Sequence, residues 1–264
     1  MIIDFHTHAF PEKISEKAMK VLSLNAGNAI PFHNGTAPSL AEYVRKSGAD
    51  KAVVLNIATN PHQQTSVNNF AISLLDDSTL IPFGSVHPDS ENAFEELERL
   101  KKAGIKGIKL HPDYQNFFVD DEKLFPLYKK IGELGFITVF HAGVDIEYFE
   151  PVHCTPDRLA RALKYFGGAP VVAAHWGGYM KWYEVEEHLI GRDIYLDTSY
   201  AYGRMPREQA KRMAEHHGAE KILFGSDMPW SGTDNEMRFI DSLGLTDSQK
   251  AAILGENGAK LLGV

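Results

Sequence analysis

Short apolar runs rich in β-branched and aromatic residues alternate along the chain with longer stretches whose apolar positions recur every three or four residues. The short runs are MIIDFH at 1–6, KAVVLNI at 51–57, LIPFGSV at 80–86, IKGIKL at 105–110, FITVFH at 136–141, PVVAAH at 170–175, IYLDTS at 194–199 and KILFGSD at 221–227. The clearest of the longer stretches is DSENAFEELERLKKAG. In it Ala93, Leu97 and Leu100 form one helical stripe, Asp89 or Ser90 can cap the start, and Gly104 stops the helix. Eight strands alternating with helices predict an α/β protein, a (β/α)8 TIM barrel forming a single domain over 1–264. The segment 24–38, LNAGNAIPFHNGTAP, reads as a loop placed to cover the mouth of that barrel. The tail, KAAILGENGAKLLGV, reads as terminal helix packed outside it.

Composition narrows the function. The apolar fraction of 44% over 264 residues is ample for a full core. A formal net charge of −8 speaks against a nucleic-acid partner, which selects basic patches. No apolar run reaches the roughly 18 residues of a membrane span, and Asp4 and His6 interrupt any secretion-signal pattern at the start. The single cysteine, Cys154, has no partner for an internal disulfide, so a cytoplasmic protein is expected.

In such barrels the reacting groups stand at the C-terminal ends of the strands. His6 and His8 end the first strand, Lys109 and His111 the fourth, His141 the fifth, His175 the sixth and Asp227 the eighth, with His87 just past the third. Six of the 12 histidines therefore fall at strand exits, while His33, His62, His153, His188, His216 and His217 fall in loops or helices. Residues two apart on a strand share a face, so His6 and His8 point to the barrel axis while Ile3 and Phe5 pack outward against helices. Two imidazoles on one face begin a divalent-metal site. His141 can add a third nitrogen and Asp227 an anionic oxygen. A nitrogen-and-carboxylate set without thiolate favours zinc, with iron, manganese or cobalt as alternatives. A metal so held activates water, and His175 and Asp227 are the candidate acid–base groups.

Each of these residues alone has a plainer structural reading. A strand histidine can be a satisfied core residue, Asp227 a helix cap after Ser226, and Lys109 a salt-bridged or snorkelling side chain. Their gathering at one rim is what points to a metal. Trp176 and Trp230 either wall a pocket or anchor loops. Asp197 and Ser199, on one face at the end of strand seven, serve either substrate or core hydrogen bonds.

Together DFHTH, GIKLHP, FHAG, AHWGG and FGSDMPW resemble the amidohydrolase superfamily, and within it the amidohydrolase-related branch that includes aminocarboxymuconate semialdehyde decarboxylase. The similarity runs from the first strand to ILGENGAKLLG, nearly the whole chain. It implies one divalent metal held by His6, His8, His141 and Asp227, with His175 close by and acting on water or substrate. The activity it implies is a metal-dependent hydrolase acting on a small carboxylated or cyclic compound, with a non-oxidative decarboxylase as the alternative. Binuclear members carry a carboxylated, bridging lysine at the place of Lys109. The branch resembled here is mononuclear, which makes Lys109 a free ammonium for a substrate carboxylate, with His111 and Trp176 as further substrate contacts. Pairing of Lys109 with a barrel carboxylate such as Asp4 is the plainer alternative.

Two rivals rank lower. A metal-dependent phosphoesterase barrel also opens with D-x-H-x-H but adds a bridging glutamate where Lys109 stands. A non-catalytic metal-binding barrel would need a closed coordination sphere, and His175 argues against one. The expected partner is a small-molecule substrate, with no nucleic acid and no membrane. A homo-oligomer is compatible with the sequence.

Overall fold

All eight expected strands form, each shorter than its apolar run. In the computed structural model, which describes residues 1–264, they are β1 Ile3–Thr7, β2 Lys51–Leu55, β3 Leu80–Phe83, β4 Gly107–Leu110, β5 Ile137–Phe140, β6 Val171–Ala173, β7 Tyr195–Asp197 and β8 Ile222–Leu223. The helices are α1 Glu12–Asn25, α2 Ala37–Lys46, α3 Gln64–Ser73, α4 Ala93–Ala103, α5 Phe125–Glu133, α6 Pro156–Ala162, α7 Trp182–His188, α8 Arg207–His217, α9 Thr233–Asp241, α10 Asp247–Ala251 and α11 Asn257–Leu262. None is long and apolar enough to cross a membrane. Beyond two of the strands the backbone turns left-handed. His175 (φ 59°) and Trp176 (φ 56°) after β6, and Asp227 (φ 70°) after β8, adopt left-handed backbone that cannot extend a ladder. The chain divides into two compact units.

Unit 1 comprises Met1–Val54, Asp77–Ile81 and Leu196–Val264. Its strands lie in the order β7-β8-β1-β2. Asp197 pairs with Leu223 and Asp4 with Ala52, and the Phe5 N–H donates to the Phe224 carbonyl at 2.7 Å. Ile3 and Phe5 face the C-terminal helix as their parity requires, since a Cβ on Gly258 would touch both at 3.5–3.6 Å. The tail is helical throughout, α10 and α11 being joined by a π-helical turn at Ala252–Glu256. There Gly255 lets the backbone press on the start of the chain, where a Cβ would fall 1.9 Å from the Met1 carbonyl oxygen. Within 24–38 only part is irregular: α1 runs on to Asn25, and α2 begins at Ala37 with the Thr36 side chain capping it.

Unit 1 also buries a carboxyl group. Glu236 on α9 accepts hydrogen bonds from the Ala201 N–H (3.1 Å), the Tyr202 N–H (3.0 Å) and the Ser231 hydroxyl (2.6 Å). It thereby ties the segment after β7 to the segment after β8. Burial pushes its pKa up to about 8, against the pull of those donors.

Unit 2 comprises Leu55–Asp76 and Pro82–Tyr195. Here β4, β5 and β6 are parallel neighbours, with Lys109 opposite Val139 and Phe140 opposite Ala173, and Gly84 just past β3 bridges to Ile108. On α4 the stripe Ala93, Leu97 and Leu100 is buried and Gly104 ends the helix at φ 96°, as the pattern predicts. Its start differs from expectation. Asn92 holds the cap position, and neither Asp89 nor Ser90 caps it. The Ser90 N–H already closes a turn onto the His87 carbonyl, and its hydroxyl donates to Asn92. Tyr128 on α5, Phe140 and Phe166 form an aromatic core with centroids 4.6–5.9 Å apart, and the Tyr128 hydroxyl donates to the Val119 carbonyl. Each such ring pair adds about 0.5–1.5 kcal/mol beyond its buried area.

Two predictions follow from this packing. Gly132 lies inside α5, where alanine would normally gain about 1 kcal/mol of helix propensity. A Cβ there would sit 2.2 Å from the Phe166 carbonyl oxygen, and forcing backbones apart costs about 1–3 kcal/mol. Gly132→Ala should therefore lower Tm by a few degrees in thermal denaturation, and a raised Tm would contradict the close approach. For Glu236 the folded pKa lies above the unfolded value, so the neutral acid contributes stability that is complete below about pH 4.5 and is lost as pH rises to about 8. Tm measured from pH 5 to 8 should fall in the wild type and stay flatter in Glu236→Gln; parallel curves would refute this.

Candidate metal centre and active site

In unit 1 the β1 exit presents two imidazoles on one face. The His6 and His8 rings are 5.2 Å apart and 69° from coplanar. The His6 Nδ1–H donates to Asp197 Oδ2 at 2.8 Å, and Ser199 Oγ lies 3.1 Å from the same nitrogen while donating to Asp197 Oδ1 at 2.5 Å. That places the proton of neutral His6 on Nδ1 and makes Nε2 the nitrogen that could bind a metal. Asp227 Oδ1 lies 3.4 Å from His6 Nε2 and 3.2 Å from His8 Nε2.

Two atoms bound tetrahedrally to one ion at about 2.0–2.1 Å are about 3.3–3.4 Å apart. The observed spacings fit an ion shared by His6, His8 and Asp227, whose ligand atoms all lie within 4.8 Å of one another.

Local sequence explains this convergence. Gly225 has no side chain where a Cβ would come 2.9 Å from the His6 Cβ, so β8 can run close beside β1. The Asp227 N–H donates to the His6 carbonyl and the His8 N–H to the Met228 carbonyl, which locks the two exits together. Below them Asp4 accepts from the Ser226 N–H, the Thr233 hydroxyl and the His6 N–H, and burial pushes its pKa up to about 6.

In unit 2 the exits of β4, β5 and β6 bring together His111, His141 and His175. His175 Nε2 lies 3.1 Å from His141 Nδ1, a spacing that suits either a shared proton or a shared cation. His141, His111 and Tyr114 stack in sequence at 4.1 and 4.0 Å, nearly parallel, and Tyr148 meets Tyr114 edge-on. Asp145 Oδ2 faces the outer nitrogens of both histidines, 3.5 Å from His111 Nε2 and 3.8 Å from His141 Nε2. These three could also hold an ion by distance. Their geometry is poorer, because parallel rings cannot both aim in-plane lone pairs at one point. Burial and the neighbouring His111 and His175 push the His141 pKa well below its usual value, so the ring is neutral at pH 7.

Lys109 is buried on β4, and Phe83 fills the space beside Gly107, two residues earlier on the same face. Trp176 is also fully buried, directly after His175 in the left-handed turn, and the Trp182 indole donates to the His175 carbonyl. His87 is held structurally: its N–H donates to Gln64 Oε1 and its Nδ1 accepts from the Asp89 N–H.

Four further residues shape these sites without having been singled out as site residues in the sequence. Gly225 permits the close approach of β8 to β1, and Asp145 faces two imidazoles. Gln115 ties three exits together, accepting from the His111 N–H and donating to the Ala58 and Val86 carbonyls. The fourth, His33, is buried beside His8, and its pKa is pushed down to about 4 by burial and by His8. Gly225 had a visible signal, a glycine two residues before Asp227. The others lie in segments without periodicity.

A protein-family model described as amidohydrolase matches residues 3–264. No curated protein matches the chain significantly in sequence. Solved structures do match in fold. An uncharacterised TIM-barrel protein from Bordetella bronchiseptica is 18% identical with a TM-score of 0.78, over 99% of this chain and 98% of that one. A putative 2-pyrone-4,6-dicarboxylic acid hydrolase from Pseudomonas putida is 20% identical with a TM-score of 0.70, over 99% and 97%. A 5-carboxyvanillate decarboxylase from Novosphingobium aromaticivorans, with bound manganese and 3-methoxy-4-hydroxy-5-nitrobenzoic acid, is 14% identical with a TM-score of 0.71, over 100% and 97%. The chain therefore has the (β/α)8 barrel fold that its alternating pattern predicts.

The Asp197–His6 bond generates a prediction. Removing a partner that orients a ligating histidine typically costs 10–100-fold in metal affinity. Asp197→Ala should weaken zinc binding by about that factor in competition with a chelating dye, with the circular dichroism of the fold retained. Unchanged affinity would show that the bond does not orient a ligand.

Proposed function

The chain belongs to the amidohydrolase family, and from that premise we propose that it is a metal-dependent hydrolase of small carboxylated or cyclic compounds, working as one catalytic domain over 1–264. Family membership makes it an enzyme of the metal-dependent hydrolase or carboxy-lyase kind. The proposed cofactor is one divalent ion, zinc, held by His6, His8, His141 and Asp227. Manganese, present in one structure of similar fold, is the alternative. The observation that carries this reading is the His6–His8–Asp227 set, with donor spacings of 3.2 and 3.4 Å and the His6 tautomer fixed by Asp197. The buried Cys154 and the acidic net charge support a cytoplasmic enzyme that does not act on nucleic acid.

An ion bound there supplies Lewis acidity, which lowers the pKa of water towards neutrality and polarises a substrate oxygen. The chain's own residues do the rest. Asp197 and Ser199 hold the His6 ring. Lys109 offers a buried ammonium to a substrate carboxylate, with His111 and Trp176 as further contacts. His175 takes up and returns a proton at Nε2, a role commonly worth about 10²–10⁴ in rate. A second reading is favoured by the similarity of the fold to a 5-carboxyvanillate decarboxylase. In it His175 delivers its proton to the carbon from which carbon dioxide departs.

Elemental analysis of protein kept free of chelator should find one metal per chain; two would require a bridged site at Lys109. His175→Asn should keep the metal and lose activity by about 10²–10⁴. A metal-free variant would make His175 a ligand instead. Screening the loaded enzyme against lactones and aromatic acids separates the two reactions, because only decarboxylation releases carbon dioxide.

A further inference from the structure

Helix α1 of unit 1 shows solvent a face that is not polar throughout. At about 100° per residue, Ser15 and Met19 share one side of the helix, and both are buried. The opposite arc, about 120° wide, holds Lys13, Ile14, Lys17, Lys20, Val21 and Leu24. Ile14, Val21 and Leu24 are 50, 45 and 57% exposed, and all three lysines are exposed. The outward face of a surface helix is ordinarily charged or polar. Half of this one is aliphatic.

The charge on that face has one sign. Glu12 and Glu16 fall outside the arc, and none of the three lysines pairs with a carboxylate, although Lys20 stands four residues after Glu16. Other helix lysines are neutralised at such spacings, as in Lys46–Glu42, Lys129–Glu133 and Lys250–Asp247. The chain after α1 extends the apolar part. It folds back on the last turn, where the Ser23 hydroxyl donates to the Ala29 carbonyl at 2.7 Å and the Asn28 N–H to the Ser23 carbonyl at 2.8 Å. The next residue, Ile30, is 87% exposed, more than any other large apolar side chain of the protein.

We propose that α1 and Ile30 form a docking surface for an anionic lipid membrane, with the lysine ammonium groups among the headgroups and the aliphatic tips in the interface. Two properties together select this partner. Lysine stems cover apolar surface while their charges reach the anionic groups above it. Exposed aliphatic tips gain only from a partner that has hydrocarbon beneath its charge. A nucleic-acid backbone offers none, and a second copy presenting the same face would set lysine against lysine. The anionic leaflet of a membrane faces the cytoplasm, the compartment proposed for the enzyme. The membrane partner that hydropathy excludes is one that is spanned, and a helix lying on the surface needs no spanning run.

The probe is a vesicle of phosphatidylcholine with about one-third phosphatidylserine, sedimented with the full chain at about 0.1 M salt. Wild type should co-sediment with these vesicles and not with pure phosphatidylcholine. Raising the salt to about 1 M, where the Debye length falls to about 3 Å, should release it. The combined variant Lys13→Gln, Lys17→Gln, Lys20→Gln should partition about 100-fold more weakly, since each lysine near an anionic surface contributes about fivefold. Ile30→Ser should weaken partition about tenfold. All four side chains are exposed, so both variants should keep the Tm of wild type. Amide hydrogen exchange in wild type, which needs no variant, should slow over residues 12–32 when anionic vesicles are added. Wild type that stays in the supernatant, or whose exchange the vesicles leave unchanged, overturns the proposal and leaves an acidic protein surface as the occupant. Equal sedimentation with both kinds of vesicle overturns it too, as does a lysine variant or Ile30→Ser that binds like wild type.

Discussion

A histidine ring has two nitrogens, and at neutral pH one of them carries a proton and cannot bind a metal. The Asp197–His6 hydrogen bond settles that choice, and the proposed chemistry of unit 1 depends on it. With Nδ1–H committed at 2.8 Å to the carboxylate, Nε2 is turned towards Asp227. The surrounding sequence serves this arrangement. Gly225 removes a Cβ that would block the approach, Asp4 holds the Ser226 N–H beneath it, and the left-handed conformation of Asp227 turns its side chain back towards β1. A left-handed non-glycine residue costs on the order of 1–3 kcal/mol, and a fold tolerates it only where its surroundings over-determine it. The bonds from Asp227 N–H to His6 and from His8 N–H to Met228 are such surroundings.

Unit 2 solves a different problem, the burial of several imidazoles together. Desolvation and mutual repulsion keep His141 neutral. The parallel stack through His111 to Tyr114 fixes ring planes, and Asp145 Oδ2 lies 3.5 Å from the outer nitrogen of His111. The left-handed pair His175 and Trp176 repeats the backbone device seen at Asp227. In each unit one candidate acid–base or ligand residue, Asp227 in unit 1 and His175 in unit 2, has left-handed backbone, whereas His6 and Lys109 lie within regular strands.

The strands were legible because a buried parallel strand is a dense apolar run between breakers, and all eight such runs contain one. The chemistry was legible because four of the eight runs end in histidine or aspartate at corresponding places. What the pattern could not give is the geometry of the exits. It extends β6 to His175 and β8 to Asp227, whereas both residues lie past the strand in left-handed turns. The cap of α4 was misplaced by at least two residues because a turn at Ser90 competes for the same groups. His33 gave no signal at all, since a loop histidine is meaningful only once the chain has folded it against His8. Gln115 and Asp145 were invisible for the same reason. Their partners lie across loops, at separations no period records.

The central claim is that His6, His8 and Asp227 converge on one ion. Anomalous diffraction from crystals of zinc-loaded protein, collected on both sides of the zinc edge, tests it most directly. The account predicts one strong peak at about 2.0–2.2 Å from His6 Nε2, His8 Nε2 and an Asp227 oxygen, with His6 Nδ1 still bonded to Asp197. A peak at His111 and Asp145 with none at His6, or a His6 ring turned so that Nδ1 is the ligand, would contradict it.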